Sequence, residues 1–309
     1  MAAPIYYRWD DAYAPVARGE RTSLIEILTA CLVTGYGDKP GAGWERLTVN
    51  AEGTKAWFRN NTTTGLGFPI MFDAARPGLA NHINVMAYEA MSDIDTGLLP
   101  FRATPTTISV SGTANTTARP WVVVADDRGF YFVCWISNTA SPGTLYNVQK
   151  SEFFYGDLIK IYPSDQFAAA MFTGNYDNVG NQHGYSFNMA SPNTGGGGFV
   201  LMPRKRSGTP GAVSAHLIHN GGPSGAYPGT EGIAKQPDDP LIISRPYINN
   251  AEAYTMRAFF PGLYAPCHKL SFRQLEIVQW GGKELLSIVG SVGGGSHGNY
   301  FISLSDWWI

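Results

Sequence analysis

The sequence predicts a mainly β protein, with β-sandwich or barrel-like sheets, one N-terminal α-helix and long loops rich in glycine and proline. Three features of the composition favour this class. Charged residues make up 15% of the 309 residues, where about 25% is usual. Glycine accounts for 36 residues and aromatic residues for 13% of the chain. Strands favour aromatic residues and tight turns favour glycine, so sheets are expected rather than a helical bundle.

The one predicted helix covers residues 23–34. Ser23 and Glu26 form the S-x-x-E pattern of a capping box at its start. Gly35 suits the left-handed position that ends a helix. The apolar residues that recur at helical spacing are Leu24, Leu28, Cys31 and Leu32.

Most of the remaining chain predicts strands. Alternation between residues 82 and 91 places Ile83, Val85 and Ala87 on one face. Hairpins are expected to turn at residues 126–129 and at Gly281-Gly282. A short helical turn is expected at residues 164–172, where Ser164 or Asp165 could cap it.

Two predicted strands are apolar on both faces, Val122–Val124 and Phe130–Trp135. A strand of this kind is buried on both sides, so a second sheet or a partner subunit is expected to cover it.

The chain divides into three segments by composition. Residues 1–173 form an N-terminal β-rich part that contains the helix. Residues 174–240 are rich in Gly, Asn, Pro and Ser and predict a loop-rich insertion. Residues 241–309 predict C-terminal strands that complete the same β domain or form a second one.

Charge and hydropathy exclude several classes of function. A formal net charge of −2 and a pI near 6.3 give no basic field for nucleic acid or an anionic membrane. No apolar run approaches the roughly 20 residues that span a bilayer. The N-terminus has no secretory signal pattern, so synthesis in a cytoplasm is expected. Cys31, Cys134 and Cys267 are too scattered for a zinc site and predict buried thiols.

Catalytic patterns are present only in weak form. Gly35–Glu45 resembles a phosphate-binding loop, but its glycines follow a helix and Pro40 comes directly after Lys39. Ser296 lies in a GxSxG pattern that leads into a strand, which makes a hydrolase the least favoured class. His216 and His219 would point to opposite sides of a strand.

Acidic residues give no site either. Asp93 and Asp95 lack the rest of a calcium loop and predict a turn closed by Asx side chains. Adjacent carboxylates, such as Asp126 and Asp127, diverge on a turn. No catalytic residue, cofactor or metal site is therefore predicted.

Aromatic clusters and short basic runs are the remaining candidates. Tyrosine and tryptophan are enriched at the energetic centres of protein interfaces, and they also stack on sugar rings. Subunit contact is the favoured interpretation, and a carbohydrate-binding or receptor-binding module is the alternative from another class. The candidate interface residues are Trp9, Lys39, Trp44, Arg204, Lys205, Arg206, Trp307 and Trp308.

Several stretches together resemble a family of virion structural proteins of tailed bacteriophages. They are the YRWDD stretch from Tyr7, the GYG-x-K-x-x-x-GW stretch at Gly35–Trp44, the Arg-Pro-Trp strand at Arg119–Trp121 and the PGLYAP motif at Pro261–Pro266. The matches extend to Leu270 and are weaker between residues 174 and 239.

The resemblance implies a structural component of the particle and brings no catalytic residue. We expect a tail or baseplate protein, with a capsid decoration or neck-collar protein as the alternative. Its expected partners are copies of itself and other virion proteins, with a host surface glycan as a further candidate. No cofactor, small-molecule substrate, nucleic acid or membrane is expected, and assembly would take place in the host cytoplasm.

Overall fold

The computed structural model describes residues 3–74, 81–136, 150–173, 199–218, 243–250, 255–266, 272–292 and 295–308. The predicted class is confirmed: these described residues are mostly β and include a single short helical segment. Every strand pair in the described ranges is antiparallel. The strands are β1 (Ile5–Arg8), β2 (Glu45–Val49), β3 (Lys55–Arg59), β4 (Pro69–Asp73), β5 (His82–Asp93), β6 (Thr96–Pro100), β7 (Thr106–Ser109), β8 (Trp121–Ala125), β9 (Gly129–Trp135), β10 (Lys150–Asp157), β11 (Ile159–Lys160), β12 (Ala169–Thr173), β13 (Phe199–Arg204), β14 (Pro210–Ile218), β15 (Ile243–Ser244), β16 (Tyr247–Asn250), β17 (Thr255–Phe259), β18 (Leu263–Pro266), β19 (Ile277–Trp280), β20 (Lys283–Val292) and β21 (Gly295–Ser303).

Three sheets contain these strands. The central sheet has ten strands in the order β1-β8-β9-β10-β12-β13-β14-β16-β17-β11. A six-stranded sheet runs β2-β3-β4-β5-β6, with β7 also paired to β5, and a five-stranded sheet runs β15-β18-β21-β20-β19. Strands from all three segments of the chain therefore share the central sheet. The described part of the loop-rich segment supplies two of them, β13 and β14.

The central sheet is covered on both faces by the chain itself. One face, with Val123, Phe130 and Phe132, packs against the helical segment and the six-stranded sheet. The opposite face, with Tyr131 and Val133, packs against the five-stranded sheet. The doubly apolar strands were predicted to need two covers, and the chain's own sheets provide both.

The helical segment begins as predicted, but its second half has a wider hydrogen-bond register. Helix α1 covers Ser23–Leu28, and a π-helical turn follows over Thr29–Thr34. Gly35 ends it with φ of 77°, and its N–H donates to the carbonyl of Ala30, five residues back. The predicted buried face is confirmed, since Leu24, Leu28, Cys31 and Leu32 are all buried.

The predicted capping box is wrong. Thr22 is the N-cap residue, and no side-chain hydrogen bond caps the helix. The Ser23 hydroxyl instead accepts a hydrogen bond from the Arg18 N–H and donates to the Val16 carbonyl. The hydroxyl therefore fixes the preceding loop, because these nearby backbone groups compete for it with the helix terminus.

Both predicted hairpins are confirmed, as β8–β9 and β19–β20. The helical turn predicted at residues 164–172 is wrong, because residues 169–173 form β12 and pair with β10. Asp165 caps a turn through the Phe167 N–H and binds Arg257 instead. The first strand is β1, which precedes the helical segment.

Candidate functional site

The glycine-rich loop Gly35–Glu45 closes the end of the helical segment. The N–H groups of Ala42 and Trp44 donate to the carbonyls of Cys31 and Leu32, at 3.0 Å each. These carbonyls lie in the last turn of the helical segment, where no further helical turn can supply a donor. Anions bind at the N-terminus of a helix, whereas these loop N–H groups lie at its C-terminus. They already donate to helix carbonyls, so they do not form a phosphate site.

Within this loop, a tight turn presents two polar side chains on one side. Tyr36 and Lys39 exchange backbone hydrogen bonds of 3.0 Å in both directions. The Lys39 ammonium donates to the Tyr6 carbonyl at 2.7 Å and to Asp11 Oδ2 at 2.6 Å. The Tyr36 hydroxyl donates to Asp11 Oδ2 at 2.8 Å. We call Asp11, Tyr36 and Lys39 the edge cap.

The edge cap lies against the outer side of β1, which is the terminal strand of the central sheet. The Trp9 N–H donates to the Trp121 carbonyl on β8. The backbone N–H and C=O groups of the odd-numbered residues of β1 therefore point toward β8, and those of the even-numbered residues point outward. The outward Arg8 N–H donates to Asp11 Oδ2 at 2.8 Å. The Tyr36 hydroxyl shares its one hydrogen between Asp11 Oδ2 and the Arg8 carbonyl, which lies 3.3 Å away.

Asp11 is the centre of the edge cap. Burial raises the pKa of its carboxyl, but hydrogen bonds from Lys39, the Arg8 N–H and Tyr36 outweigh burial and lower the pKa below its usual value of 3.8. The carboxylate form is therefore the one that the site stabilises. Burial and the bond to Asp11 raise the pKa of Tyr36, so its hydroxyl stays a donor.

The edge cap connects three of the motifs that carry the family resemblance. Tyr7 packs on Tyr36 with ring centroids 5.8 Å apart, and its hydroxyl donates to the Pro40 carbonyl at 2.7 Å. The Trp121 ring meets Tyr36 edge-on at 6.5 Å, and its indole N–H donates to the Pro15 carbonyl. The motifs therefore meet in space although they are dispersed along the sequence.

The fourth motif lies on the opposite face of the central sheet. The Tyr131 hydroxyl donates to the buried Pro261 carbonyl at 2.8 Å. Trp307 packs edge-on against Tyr131 at 5.4 Å and covers Gly262, which has φ of 66°. A Cβ at Gly262 would lie 2.3 Å from the Trp307 ring. We call Tyr131, Gly262 and Trp307 the C-terminal anchor.

A third cluster surrounds the β8–β9 turn. Asp126 Oδ1 accepts from the N–H groups of Arg128 and Gly129, and Oδ2 accepts from the Trp308 indole N–H. The Arg128 guanidinium lies 3.6 Å from the Trp308 ring centroid. Desolvation raises the pKa of nearby Asp157 to about 6, although Arg128 partly opposes the shift.

Two of the predicted interface tryptophans are buried in the folded chain. The Trp44 indole N–H donates to the Asp126 carbonyl at 2.7 Å, and its ring packs on Phe130. The Trp307 indole N–H donates to the Ser303 carbonyl, and only 2% of the residue is exposed. Neither side chain can reach a partner unless the fold opens, so both are corrected to core residues.

The other predicted interface residues, Trp9 aside, lie nearer the surface and also have partners within the chain. Arg204 forms a bidentate ion pair with Glu89, with both distances 2.6 Å. The Lys205 backbone closes a turn to Thr209, and the exposed Arg206 guanidinium lies 4.0 Å from the Tyr162 ring centroid. Lys39 and Trp308 are bound as described above.

Trp9 is half-buried beside the edge cap. Its ring packs against Trp135 at 6.4 Å, and the Arg8 guanidinium lies 5.4 Å from its centroid. The residues predicted to form a subunit interface therefore do make strong contacts, but in this structure those contacts lie within one chain.

The weak catalytic patterns gain no support from the described residues. No group of three or more His, Cys, Asp or Glu within the described ranges could hold a metal ion. Asp93 forms the predicted Asx turn by accepting from the Asp95 N–H. Cys31 and Cys134 are buried thiols, as predicted. His219, Cys267 and the side chains of His216 and Ser296 lie outside the described residues.

Two buried ion pairs were not anticipated from the sequence. Arg257 binds Asp165 through two hydrogen bonds of 2.7 and 3.1 Å, and both residues are buried. Lys150 and Glu152 lie 3.5 Å apart on β10, and burial lowers the pKa of the lysine. For Lys150 and Glu152, the available signal was a pair of opposite charges two residues apart in an apolar strand, since that spacing places both side chains on one face.

The most exposed large apolar side chain among the described residues was also missed. Tyr13 is 86% exposed and has φ of 64°, a left-handed conformation that tyrosine seldom adopts. Side-chain donors fix the loop that follows it: the Pro15 carbonyl accepts from the Trp121 indole N–H, and the Val16 carbonyl accepts from the Ser23 hydroxyl. Leu99 combines the same two properties, with 50% exposure and φ of 52°.

No protein-family model matches the sequence, and a search of curated proteins finds no match either. In the described ranges, no helix has the length and apolarity needed to span a bilayer.

Proposed function

We propose that this chain is a structural component of a tailed-bacteriophage virion and works by packing against copies of itself and other virion proteins. We place it in the tail or baseplate region, with capsid decoration or neck-collar protein as the alternative locations. The observation that carries the proposal is the spread of the family motifs along the chain, from Tyr7 to Leu270.

The contacts made by these motifs support the proposal. Tyr7, Tyr36 and Trp121 come from three motifs and pack against one another around β1 and β8. The PGLYAP motif supplies Pro261 and Gly262 to the C-terminal anchor. The residues on which the resemblance depends are thus residues on which the fold of this chain depends.

Strands that are apolar on both faces do not support assembly, because the chain's own sheets cover them. The support from the surface is different and more local. Tyr13 holds a large aromatic side chain in water on a loop that several hydrogen bonds fix in place. A rigid exposed aromatic loses little entropy when a partner buries it, and strained residues of this kind cluster at functional contacts.

Cryo-electron microscopy of particles from the phage that encodes this chain tests the proposal directly. We expect ordered copies of the fold in the tail or baseplate. Density only on the capsid or at the neck would move it to the alternative location. Particles without any ordered copy, and without the chain by mass spectrometry, would reject the proposal.

Tyr13→Asn separates assembly from stability. Asparagine tolerates the left-handed conformation, so we expect the isolated chain to unfold within about 1 kcal/mol of the wild type. Removal of the ring should lower incorporation of the chain into particles at least about tenfold, since central aromatic contacts contribute 2 kcal/mol or more, on the order of a tenfold effect per 1.4 kcal/mol. Val49→Asn, on the exposed side of β2, is the matched control and should leave incorporation unchanged. Equal incorporation of both variants would show that Tyr13 does not contribute to an interface with other virion subunits.

A further inference from the structure

The outer edge of β1 offers backbone groups that another strand could use. A terminal strand presents a row of unpaired N–H and C=O groups, which is a template for pairing with a second chain. In this protein three of the four outward backbone groups of Tyr6 and Arg8 already have side-chain partners. The Tyr6 carbonyl accepts from Lys39, the Arg8 N–H donates to Asp11, and the Arg8 carbonyl accepts from Tyr36.

We infer that the edge cap of Asp11, Tyr36 and Lys39 blocks the addition of a β-strand to the central sheet, and that the strand it excludes is β1 of a second copy. The three side chains occupy the positions of the donors and acceptors that an incoming strand would bring. They also hold one another, because Asp11 Oδ2 accepts from both Lys39 and Tyr36.

The opposite end of the central sheet shows why β1 is the edge that needs protection. That end is β11, which has only the two residues Ile159 and Lys160. A strand of two residues offers little to pair with, and a lysine on an edge disfavours association. The edge strand β1 is twice as long and carries tyrosines. Its length therefore does not prevent another strand from pairing with it, and the side chains of the edge cap take that role.

A second copy of β1 is the occupant that the sequence of the strand favours. In antiparallel pairing centred on Tyr7, Tyr6 of one copy would lie opposite Arg8 of the other. The pair would place a cation beside an aromatic ring, as Arg8 and Tyr6 already do within one chain at 5.8 Å. No two like charges would oppose each other in that register.

Lys39→Met tests the inference in the purified full chain, measured by sedimentation velocity over a range of concentrations. Methionine keeps the aliphatic stem but leaves the Tyr6 carbonyl without its donor. We expect the variant to reach half-association at a concentration at least about tenfold below that of the wild-type chain. The test needs no phage particle, so it is independent of the proposed virion role.

Lys55→Met is the matched control. Lys55 also binds two carboxylates, Asp95 at 2.7 Å and Asp73 at 3.5 Å, but it lies on β3 inside the six-stranded sheet. Its loss removes a comparable ion pair without opening an edge, so its association should match the wild type. Association of Lys55→Met to the same extent would attribute the effect to lost charge and overturn the inference.

Tyr36→Phe provides a second variant in case Lys39→Met does not fold. It keeps the ring that packs on Tyr7 and removes only the hydroxyl bonds to Asp11 and Arg8. We expect the same direction with a smaller change, of about threefold. Folded Lys39→Met or Tyr36→Phe chains that associate no more than the wild type would show that the edge cap does not exclude a strand.

Discussion

On each face of the central sheet, a tyrosine hydroxyl donates to a proline carbonyl in a glycine-containing loop, but the surroundings of the two bonds differ. Tyr7 reaches Pro40, which is exposed at the edge cap, at 2.7 Å. Tyr131 reaches Pro261, which is buried in the C-terminal anchor, at 2.8 Å. The same pair of chemical groups therefore operates once beside water and once away from it.

The difference follows from the place of each site in the sheet. The edge cap lies at the end of the sheet, where backbone groups have no neighbouring strand, so charged and polar side chains complete them. The C-terminal anchor lies over the middle of the sheet, where the backbone is already paired, so an indole ring and close packing hold it. We expect the anchor to govern stability and the cap to govern association and the response to pH.

Gly262→Ala should have the largest effect on stability. The new Cβ would lie 2.3 Å from the Trp307 ring, and φ of 66° is unfavourable for alanine. Overpacking and the left-handed backbone together should cost about 3 kcal/mol of the free energy of unfolding. Urea unfolding followed by tryptophan fluorescence measures this loss.

Gly281→Ala supplies the control for the backbone term. Gly281 has φ of 54°, and a Cβ there would have nothing within 4 Å. Only the left-handed conformation should then cost free energy, about 1 kcal/mol. Equal losses for the two variants would show that contact with Trp307 contributes nothing to the anchor.

Tyr131→Phe and Tyr7→Phe compare the two hydroxyl bonds and should differ in size. Loss of the Tyr131 hydroxyl leaves the buried Pro261 carbonyl without that donor, which should cost about 2 kcal/mol. Pro40 is an exposed residue, so we expect water to take the place of the Tyr7 hydroxyl at its carbonyl and the loss to be about 0.5 kcal/mol. The same unfolding measurement checks both variants. A larger cost for Tyr7→Phe would contradict the distinction between a hydrogen bond at an exposed proline and one at a buried proline.

The parts of the fold that were predicted from sequence depend on local signals. The β8–β9 hairpin follows from the turn at residues 126–129, and the buried helix face follows from 3.6-residue spacing. The capping box failed because Ser23 had a competing partner in Arg18, only five residues away but outside the helix. Local patterns identify which groups can bond, and the tertiary structure selects among them.

The candidate site depends on contacts that no local pattern contains. Trp44 is buried by the Asp126 region, 82 residues away in sequence, and Lys39 finds Asp11 across 28 residues. Strand β1 has four residues and pairs with a strand more than 100 residues later, so its period was too short to detect. An aromatic or cationic residue looks the same in sequence whether its partner is another subunit or another strand of the same chain.

A further small effect on stability is the pH dependence that Asp11 contributes. Its pKa in the folded chain lies below the usual 3.8, because the bonds from Lys39, the Arg8 N–H and Tyr36 outweigh burial. The unfolded state therefore binds a proton first as the pH falls. The stabilisation from Asp11 is present above about pH 4 and is lost as the pH falls through the lower folded pKa.

We expect this contribution to be on the order of 1 kcal/mol or less, because the Lys39–Asp11 pair is partly exposed. Asp11→Asn should flatten the acid limb of a plot of unfolding free energy against pH and leave the slope between pH 5 and pH 8 unchanged. Gly281→Ala should shift the whole plot without changing its shape, since no titrating group is altered. An acid limb that Asp11→Asn leaves unchanged would mean that the cap does not depend on the charge of Asp11, and that the tyrosine and lysine bonds to the β1 backbone are enough to hold it.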